Sequence, residues 1–332
     1  MEGLQAVIPA AGIGTRLKPH THTLPKALLQ VAGKPILGYI LDEITGLGIR
    51  RVVLVTGFFA EKVEQYAERA YPELEFRFVR QTEQLGLGHA VWTALNVSRD
   101  LGSLIILGDT IVEADLAGML ENPDNVICVA PTDDPGRFGI VSLEGERIIG
   151  MVEKPKDPPS NLAIVGIYLI RDSEKLYQKL GGNIEAGVRT RGEFQLTDAL
   201  AAMLAEGERF APWRIANWFD CGKPETLLQT NRALLEARAY DKRELPSHCV
   251  IIEPSFLGEG VDVRNSVIGP YASVGDGARI NGSIVRDSLI GSGAELVNVQ
   301  LDRSIVGAGS RLRGGFDRIN IGEDTAIDLG GR

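Results

Sequence analysis

Apolar and polar positions along the first 130 residues form short, mainly β-branched runs separated by stretches with a helical period. The runs predict strands at Leu4–Pro9, Arg51–Thr56, Phe76–Arg80, Leu104–Leu107 and Val126–Ala130. Apolar residues that recur every three or four positions predict helices within KPILGYILDEITGLG and at Ala60–Ala70 and Leu87–Val97. In KPILGYILDEITGLG, Pro35 is expected in the first helical turn and Gly48 at the stop. Strands that alternate with helices predict a parallel sheet covered on both faces.

The same alternation continues, less regularly, to about residue 240. FGIVSLEGERIIGMVEKP predicts a hairpin that turns at Glu144–Glu146. Further strands are expected at Ala163–Ile170 and near Trp213–Phe219, and further helices at Asp172–Leu180, Leu196–Glu206 and Pro224–Ala239. The predicted fold of this part is α/β, with a Rossmann-like mixed, mostly parallel sheet flanked by helices.

The pattern changes after about residue 245, where single aliphatic residues recur every five or six positions. This step is too long for one face of an α-helix and too regular for a loop, and it is typical of a three-sided parallel β-helix. DSLIGSGAEL (287–296) also matches RSIVGAGSRL (303–312) at an offset of 16 residues. The expected inward residues are Leu257, Val263, Ile268, Val274, Ile280, Val285, Ile290, Leu296, Leu301, Val306 and Leu312. Two domains are therefore predicted, residues 1–240 and 245–332.

The composition is that of an ordinary globular protein. The chain has 332 residues, of which 44% are apolar and 24% charged. It has no run of 18 apolar residues and begins unlike a signal peptide, so we expect a cytoplasmic protein with no membrane span. A net charge of −9 argues against nucleic acid as a partner, so a polyanionic ligand must be held by a local cluster of Lys and Arg. The three cysteines are far apart and are expected to be reduced thiols.

The segment IPAAGIGTRLKPHTHTLPKALL, residues 8–29, follows the first predicted strand and combines glycines with basic residues. Leu17 stands where a dinucleotide-binding loop has its third glycine, and the glycine spacing of a P-loop is also missing. What remains is an extended loop whose backbone N–H groups can approach a phosphate closely. Arg16, Lys18 and Lys26 could neutralise that phosphate, although Lys18 could equally be a solvated surface residue.

Two aspartates end apolar strands, Asp109 in SLIILGD and Asp220 in NWFDCG. Ligands of open α/β sheets bind beyond the carboxyl ends of strands. Two carboxylates there, beside a loop that binds polyphosphate, are what a Mg²⁺ ion bridging phosphate oxygens requires. Either aspartate alone could instead be a helix cap or a turn residue.

GIGTRLKPHTHTLPKALLQVAGKP resembles the motif of sugar-1-phosphate nucleotidylyltransferases. The resemblance continues through QLGLGHAV, LGD, FGIV, EKP, SNLAIVGIYLI, GEFQLTDA and WFDCGKPETLLQTNRALL, and so covers nearly all of the first 240 residues. It is closest to the long-type glucose-1-phosphate thymidylyltransferases, whose extension is also a left-handed β-helix. It implies nucleotidyl transfer from a nucleoside triphosphate, dTTP before UTP, to a sugar-1-phosphate, glucose-1-phosphate first. The implied products are an NDP-sugar and pyrophosphate, and the implied cofactor is Mg²⁺.

The resemblance also implies roles for individual residues. His89 is expected to pack near the nucleoside without acting as a base. The implied catalytic residues are Arg16, Lys26, Lys154 and Asp109, and the implied metal ligands are Asp109 and Asp220. The implied nucleotide-binding residues are Ala10, Ala11, Gly12, Gly14, Thr15, Arg16, Gln81 and Gly86, and the implied sugar-phosphate residues are Gly139, Glu153, Lys154 and Ile164.

Several alternatives stay open. PAAG and GLGHAV resemble uridylyltransferases, so the base is undecided between thymine and uracil. DCG replaces the DTG of the family and puts Cys221 beside the metal site. A bifunctional acyltransferase would need a His base, but residues 245–332 contain only His248. A non-catalytic sensor of sugar nucleotides is a further reading, against which the intact cations and carboxylates argue. The unpaired ends of a parallel coil also predict a homo-oligomer.

Overall fold

The structure is a computed structural model that describes residues 3–237 and 248–315. The chain divides into two compact units, Met1–Ala233 and Leu234–Arg332. The predicted domain limits, residues 240 and 245, lie outside the described residues, so these limits stay a prediction. Within the described ranges no helix is both long and apolar enough to cross a membrane.

The first unit is built from strands and helices in alternation. Its strands are β1 (Leu4–Pro9), β2 (Gln30–Val31), β3 (Lys34–Pro35), β4 (Arg51–Thr56), β5 (Glu75–Arg80), β6 (Gly102–Ile106), β7 (Thr110–Glu113), β8 (Asn125–Pro131), β9 (Gly139–Glu144), β10 (Arg147–Glu153), β11 (Leu162–Ile170), β12 (Phe210–Arg214) and β13 (Asn217–Asp220). Its helices are α1 (Ile36–Gly46), α2 (Ala60–Ala70), α3 (Leu87–Val97), α4 (Ala117–Leu120), α5 (Ser173–Glu185), α6 (Leu196–Ala205) and α7 (Pro224–Glu236), the last of which continues into the second unit.

A mixed, mostly parallel sheet forms the centre of this unit. Its main order is β10-β9-β11-β6-β1-β4-β5, with β8 paired to β11 and β12 paired to β8. Strands β1, β4, β5 and β6 are mutually parallel, and β11 is antiparallel to β6, β8 and β9. Of the strands described for this sheet, β10 and β11 therefore run opposite to the rest. The predicted fold class is confirmed.

Most predicted elements of this unit are confirmed, and β1, β4, α2 and α3 have the predicted limits. The predicted position of Pro35 in the first turn of α1 is wrong. Its ψ of 148° is that of extended backbone, so Pro35 precedes α1 as the N-cap. Gly48, with φ 71°, follows the end of α1 as predicted. The predicted strand near Trp213–Phe219 is two strands in two sheets, since β12 pairs with β8 and β13 with β7. An apolar run does not show which distant strand each half will pair with.

A large part of the core of the unit lies between the central sheet and helices α3, α5 and α6. Its buried members come from both layers and include Val7, Val55, Leu95, Ile105, Ile127, Tyr168, Leu176, Leu196 and Leu200. Because β1, β4 and β6 are parallel, their carboxyl ends meet along one edge of the sheet. The loops that follow these three strands are therefore brought together.

The described part of the second unit is a coil of short strands. They are β14 (Val250–Ile251), β15 (Phe256–Leu257), β16 (Asp262–Arg264), β17 (Val267–Ile268), β18 (Ser273–Val274), β19 (Arg279–Asn281), β20 (Ile284–Arg286), β21 (Leu289–Ile290), β22 (Glu295–Val297), β23 (Gln300–Asp302), β24 (Ile305–Val306) and β25 (Arg311–Arg313). Every third strand is paired in parallel, which gives three stacked sheets. This is the predicted arrangement of a left-handed parallel β-helix. One coil takes 17 residues at first, as Val250 pairs with Val267, and 16 later, as Glu295 pairs with Arg311.

The predicted inward aliphatic residues form the core of the coil. All of them belong to one apolar cluster, in which Leu301 and Leu312 are partly buried. The sequence pattern missed the small buried residues of this cluster, which are Ala272, Ala278 and Ala294. Each precedes a strand by one residue, where the regular five- or six-residue step does not point to it.

Candidate active site

The loop after β1 turns back on itself at Gly14. This residue has φ 67°, a left-handed conformation that favours glycine. A Cβ added to Gly14 would lie 3.1 Å from side-chain carbons of both Lys26 and Thr21. The Thr21 hydroxyl donates a hydrogen bond to the Gly14 carbonyl at 2.9 Å. The loop is therefore closed around Gly14, with Thr15 and Arg16 on the turn that follows.

A cleft of about 360 Å³ lies where this loop meets the carboxyl ends of β1 and β6. All of the predicted nucleotide-binding residues line it, among them the predicted catalytic Arg16, together with two further predicted catalytic residues. They are Ala10, Ala11, Gly12, Gly14, Thr15, Arg16, Gln81 and Gly86, with Lys26 and Asp109. Residues from four separate segments of the sequence thus share one cavity.

The cleft also contains residues that sequence reasoning missed. Gln84 lines the wall and donates from Nε2 to the Ala11 carbonyl at 3.1 Å, which ties the loop after β5 to the loop after β1. Glu193 and Gly222 come from distant parts of the chain. Gln84 could have been found, because it stands between Gln81 and Gly86 in QTEQLG.

One ion pair joins the two sides of the cleft. The Lys26 Nζ contacts the Asp109 carboxylate. Lys26 exposes 9% of its surface and lies on the turn Lys26–Leu28, while Asp109 follows β6 and is more exposed. Because the lysine is buried beside its partner, its charge is fixed in position before any ligand arrives.

Asp220 lies on the segment next to Asp109. β13 is antiparallel to β7, and the Cys221 N–H donates to the Asp109 carbonyl at 3.0 Å. Arg137, which sequence reasoning missed, lies with Nη2 3.3 Å from Asp220 Oδ2. The two predicted metal ligands therefore stand on hydrogen-bonded neighbouring segments, although Asp220 itself does not line the cleft.

Gly222 separates Asp220 from Arg16. A Cβ at this position would lie 2.7 Å from Asp220 Oδ1 and 3.0 Å from Arg16 Nη2. The predicted triphosphate contact and the predicted metal ligand thus approach each other across a residue that has no side chain.

The donor set fits a divalent metal that is shared with phosphate. Within the described ranges no three His, Cys, Asp or Glu side chains come together as a metal cage. An ion on Asp109 and Asp220 would take its other ligands from phosphate oxygens and water, as Mg²⁺ commonly does. Burial raises the pKa of the neighbouring Cys221 thiol to about 12, so this residue is a neutral core thiol.

A second group of predicted residues assembles at β9 and β11. A Cβ added to Gly139 would lie 3.0 Å from Ile164 Cδ1 and 3.1 Å from Glu153 Oε2. The Thr197 hydroxyl donates to Glu153 Oε2 at 2.7 Å. Gly139 thus lies close to two other predicted sugar-phosphate residues, Ile164 and Glu153. Thr197, which α6 supplies, is an addition that sequence reasoning missed.

Lys154 completes this group in an unusual backbone conformation. Its φ is 42°, its N–H donates to the Phe138 carbonyl at 2.9 Å, and its carbonyl accepts from Arg191 Nη2 at 2.7 Å. Its Nζ lies 3.0 Å from Glu153 Oε1. The carboxylate of Glu153 therefore lies between an ammonium group and a hydroxyl.

Strand β11 connects this group to the cleft. Ile164 belongs to the second group, and Gly166, two residues on, accepts a hydrogen bond from the Leu107 N–H at 3.0 Å. Leu107 lines the cleft two residues before Asp109. Strand β11 therefore leads from the second group to a strand end that lines the cleft.

The chain is similar to several known proteins over most of its first unit. Residues 5–237 match the nucleotidyl transferase family. A glucose-1-phosphate thymidylyltransferase of Streptomyces antibioticus is 30% identical, and the alignment covers 92% of each chain. A bifunctional protein GlmU of Methanococcus maripaludis is 36% identical over 70% of this chain and 54% of its own length. A crystal structure of a UDP-glucose pyrophosphorylase with UDP-glucose superposes with a TM-score of 0.62 at 27% identity, over 70% of this chain and 99% of the other.

Proposed function

Because the chain belongs to the nucleotidyl transferase family, we propose that its cleft transfers the nucleotidyl group of a pyrimidine nucleoside triphosphate to glucose-1-phosphate and releases pyrophosphate. The chain is a sugar-1-phosphate nucleotidylyltransferase, as its thymidylyltransferase relatives indicate. The proposal takes dTTP as the first nucleotide and UTP as the second. One observation carries it: every predicted nucleotide-binding residue lines a single cleft that also holds Lys26 and Asp109.

The reaction is an in-line displacement at phosphorus. An oxygen of the sugar-1-phosphate attacks the α-phosphorus of the nucleotide. The bond between the α-phosphorus and the oxygen that bridges the α- and β-phosphates breaks, and pyrophosphate leaves. No side chain has to act as the nucleophile, because the phosphate oxygen is already nucleophilic. The contribution of the protein is therefore positioning and neutralisation of charge.

Each cation has a proposed task that follows from its place. Arg16, beside the backbone of Gly12 and Gly14, binds the triphosphate. Lys26 is held by Asp109 in the lining of the cleft, where it neutralises the α-phosphate. Lys154 is held by Glu153 in the second group and binds the phosphate of the sugar.

Enzymes of this family generally use a divalent metal, and we propose that here it is Mg²⁺ on Asp109 and Asp220. An ion held by these two carboxylates would supply positive charge that stabilises the phosphates during the transfer. Arg137 keeps the Asp220 carboxylate oriented at 3.3 Å, and Lys26 does the same for Asp109. The two carboxylates thus have fixed positions without the ion.

The sugar is held by hydrogen bonds in the second group. Glu153 accepts from Thr197 and contacts Lys154, and its carboxylate is nearly buried, so its direction is fixed. A carboxylate held in this way can accept from a sugar hydroxyl. Gly139 packs against the same side chains, since an added Cβ would lie 3.0 Å from Ile164 Cδ1 and 3.1 Å from Glu153 Oε2.

The test is release of pyrophosphate from dTTP, UTP, CTP, ATP and GTP with a panel of sugar-1-phosphates. We expect dTTP with glucose-1-phosphate to react fastest and UTP to follow. Equal or better turnover with ATP or GTP would overturn the pyrimidine assignment. Absence of pyrophosphate with every pair would overturn nucleotidyl transfer itself.

The alternative is a second activity, acyl transfer by the coil. Similarity to relatives that are named bifunctional protein GlmU supports this alternative. The chain offers His248 as the single histidine after residue 240, and it lies before β14. Consumption of acetyl-CoA in the presence of a sugar phosphate would establish this second activity.

A further inference from the structure

Gln81 follows β5 at the edge of the cleft, and its amide nitrogen contacts two acceptors. The residue exposes 5% of its surface and lines the cleft. Its Nε2 lies 3.1 Å from the Gly86 carbonyl oxygen and 3.0 Å from Nδ1 of His89. An amide nitrogen carries two hydrogens, so these two contacts use both of them.

The Gly86 carbonyl decides which way the amide is turned. A carbonyl oxygen can only accept, so the amide atom that faces it is Nε2 and not Oε1. The same nitrogen presents its second hydrogen to His89, whose Nδ1 must then be unprotonated. The neutral ring carries its proton on Nε2. Burial lowers the pKa of His89 and favours this neutral form, although the carboxylate of Glu83 acts in the opposite direction.

The other amide atom, Oε1, is left for a ligand. In the part of the chain that the structure describes, no donor pairs with Oε1, so a residue that lines the cleft keeps an unused acceptor. Uracil and thymine have an N–H donor at ring position N3, whereas cytosine has an acceptor there. A fixed acceptor at Oε1 can accept a hydrogen bond from N3–H of uracil or thymine. Opposite cytosine, Oε1 and the ring nitrogen N3 would both be acceptors, and no hydrogen bond could form between them.

We propose that His89 is a positioning residue that fixes the Gln81 amide so that the site accepts uracil or thymine and rejects cytosine. This inference rests on the proposed function, because it assigns the base of the nucleotide to this end of the cleft. If Gly86 were the only partner, the Gln81 amide could rotate about its single hydrogen bond. The second hydrogen bond, to His89, fixes the plane of the amide. His89 is itself held on α3, where its carbonyl accepts from Thr93 Oγ1 at 2.8 Å and its ring lies 5.9 Å from that of Trp92.

The test compares UTP with CTP, which share the triphosphate and the ring size, in the full-length enzyme with glucose-1-phosphate. We expect wild-type kcat/KM to favour UTP by at least ~10²-fold, because a site built for one hydrogen-bond pattern rejects the reversed one. His89→Leu removes the acceptor and should reduce this preference at least ~10-fold, with a higher KM for UTP and little change in kcat. Asparagine can place Oδ1 near the position of Nδ1, so His89→Asn should restore most of the preference.

Controls separate this inference from the proposed function. His248→Leu, in the coil, should leave the UTP preference unchanged. A wild-type enzyme that uses CTP as well as UTP, or a His89→Leu enzyme with the wild-type preference, would overturn the role of His89 while nucleotidyl transfer stands. A wild-type enzyme without turnover on any nucleotide would overturn the proposed function.

Nitrogen-15 NMR of the histidine-labelled wild-type protein tests the tautomer without any variant or turnover. The chain has four histidines, and His89→Asn identifies the signal of His89. We expect a protonated Nε2 and a hydrogen-bonded, unprotonated Nδ1 at neutral pH. A protonated Nδ1 would overturn the inference.

Discussion

At the scale of single residues, two carboxylates define the proposed metal site. Asp109 and Asp220 each contact one cation, Lys26 or Arg137. Asp109→Asn and Asp220→Asn keep the shape of each side chain but remove its charge. We expect each to lower kcat by at least ~10²-fold, the scale of losing one charge-stabilising group.

Asp42→Asn is the matched control for these variants. Asp42 also contacts a lysine, Lys34, but neither residue lines the cleft. Its kcat with Mg²⁺ should stay close to that of the wild type, and the thermal unfolding curves should show that all three variants fold. Near-normal kcat in Asp109→Asn or Asp220→Asn would remove that aspartate from the metal site.

Gly139 packs against residues of the proposed sugar subsite. A Cβ at this position would lie 3.0–3.1 Å from atoms of Ile164, Thr197 and Glu153, which is tighter than ordinary contact. Gly139→Ala is therefore expected to raise the KM for glucose-1-phosphate about 10-fold or more, on the scale of one added carbon in a pocket. The KM for the nucleotide should change little.

Gly150→Ala provides the comparison in the same hairpin. A Cβ there would have its nearest neighbour, in Ser142, at 3.7 Å, which is ordinary contact. Steady-state kinetics with each substrate varied in turn measures the effect. An unchanged KM for glucose-1-phosphate in Gly139→Ala would place the sugar elsewhere.

At the scale of elements, the coil is stabilised by single aliphatic side chains at each step. Ile280, on β19, exposes 1% of its surface, whereas Ile284, on the next strand, exposes 43%. Ile280→Ala leaves a cavity and should lower the free energy of unfolding by about 2–5 kcal/mol. Ile284→Ala, the same change at an exposed site, should cost much less. Scanning calorimetry of the two variants beside the wild type checks this, and equal losses would argue against an apolar core at Ile280.

Helices and strands were predicted well where the hydrophobic period of the sequence determines them. They were predicted poorly where pairing with a distant strand determines them. Strand β4 and helix α2 have the predicted limits, because alternation and the 3.6-residue period are local properties. The run from Trp213 to Phe219 has no local signal for the break between β12 and β13. Its two halves are separated by their partners, β8 and β7, which lie about 100 residues earlier.

At the scale of the whole molecule, we expect the first unit to carry catalysis and the second to contribute to stability and association. All of the predicted site residues belong to the unit Met1–Ala233. We expect a chain cut at Tyr240, which lies outside the described residues, to keep turnover but to lose stability and change its oligomeric state. A parallel coil ends in unpaired backbone groups, which proteins commonly cover by association or capping.

The measurement for this prediction is turnover and solution size of the 1–240 fragment beside the full chain. A circular dichroism spectrum and a cooperative unfolding curve establish whether the fragment is folded. A soluble, folded fragment without turnover would contradict the prediction, since the rest of the chain would then be required for activity.

The sequence by itself determined most helices and strands, and it determined the change from alternating strands and helices to a short aliphatic repeat. It also identified most of the residues that line the cleft. Hydrophobic periods act over a few residues, so they can be read without knowing the partner of any strand. The motif around Arg16 and Lys26 is also contiguous, and its spacing alone excluded the P-loop and the dinucleotide-binding loop.

Only the tertiary structure decided which groups meet. Lys26 and Asp109 are 83 residues apart in the sequence, as are Arg137 and Asp220, and both pairs contact each other. Thr197 and Arg137 entered the site through contacts that no local pattern contains. The Gln81 amide shows the reason in its simplest form: its direction depends on a carbonyl and a ring nitrogen in three dimensions, and a residue's type and spacing do not specify hydrogen-bond direction.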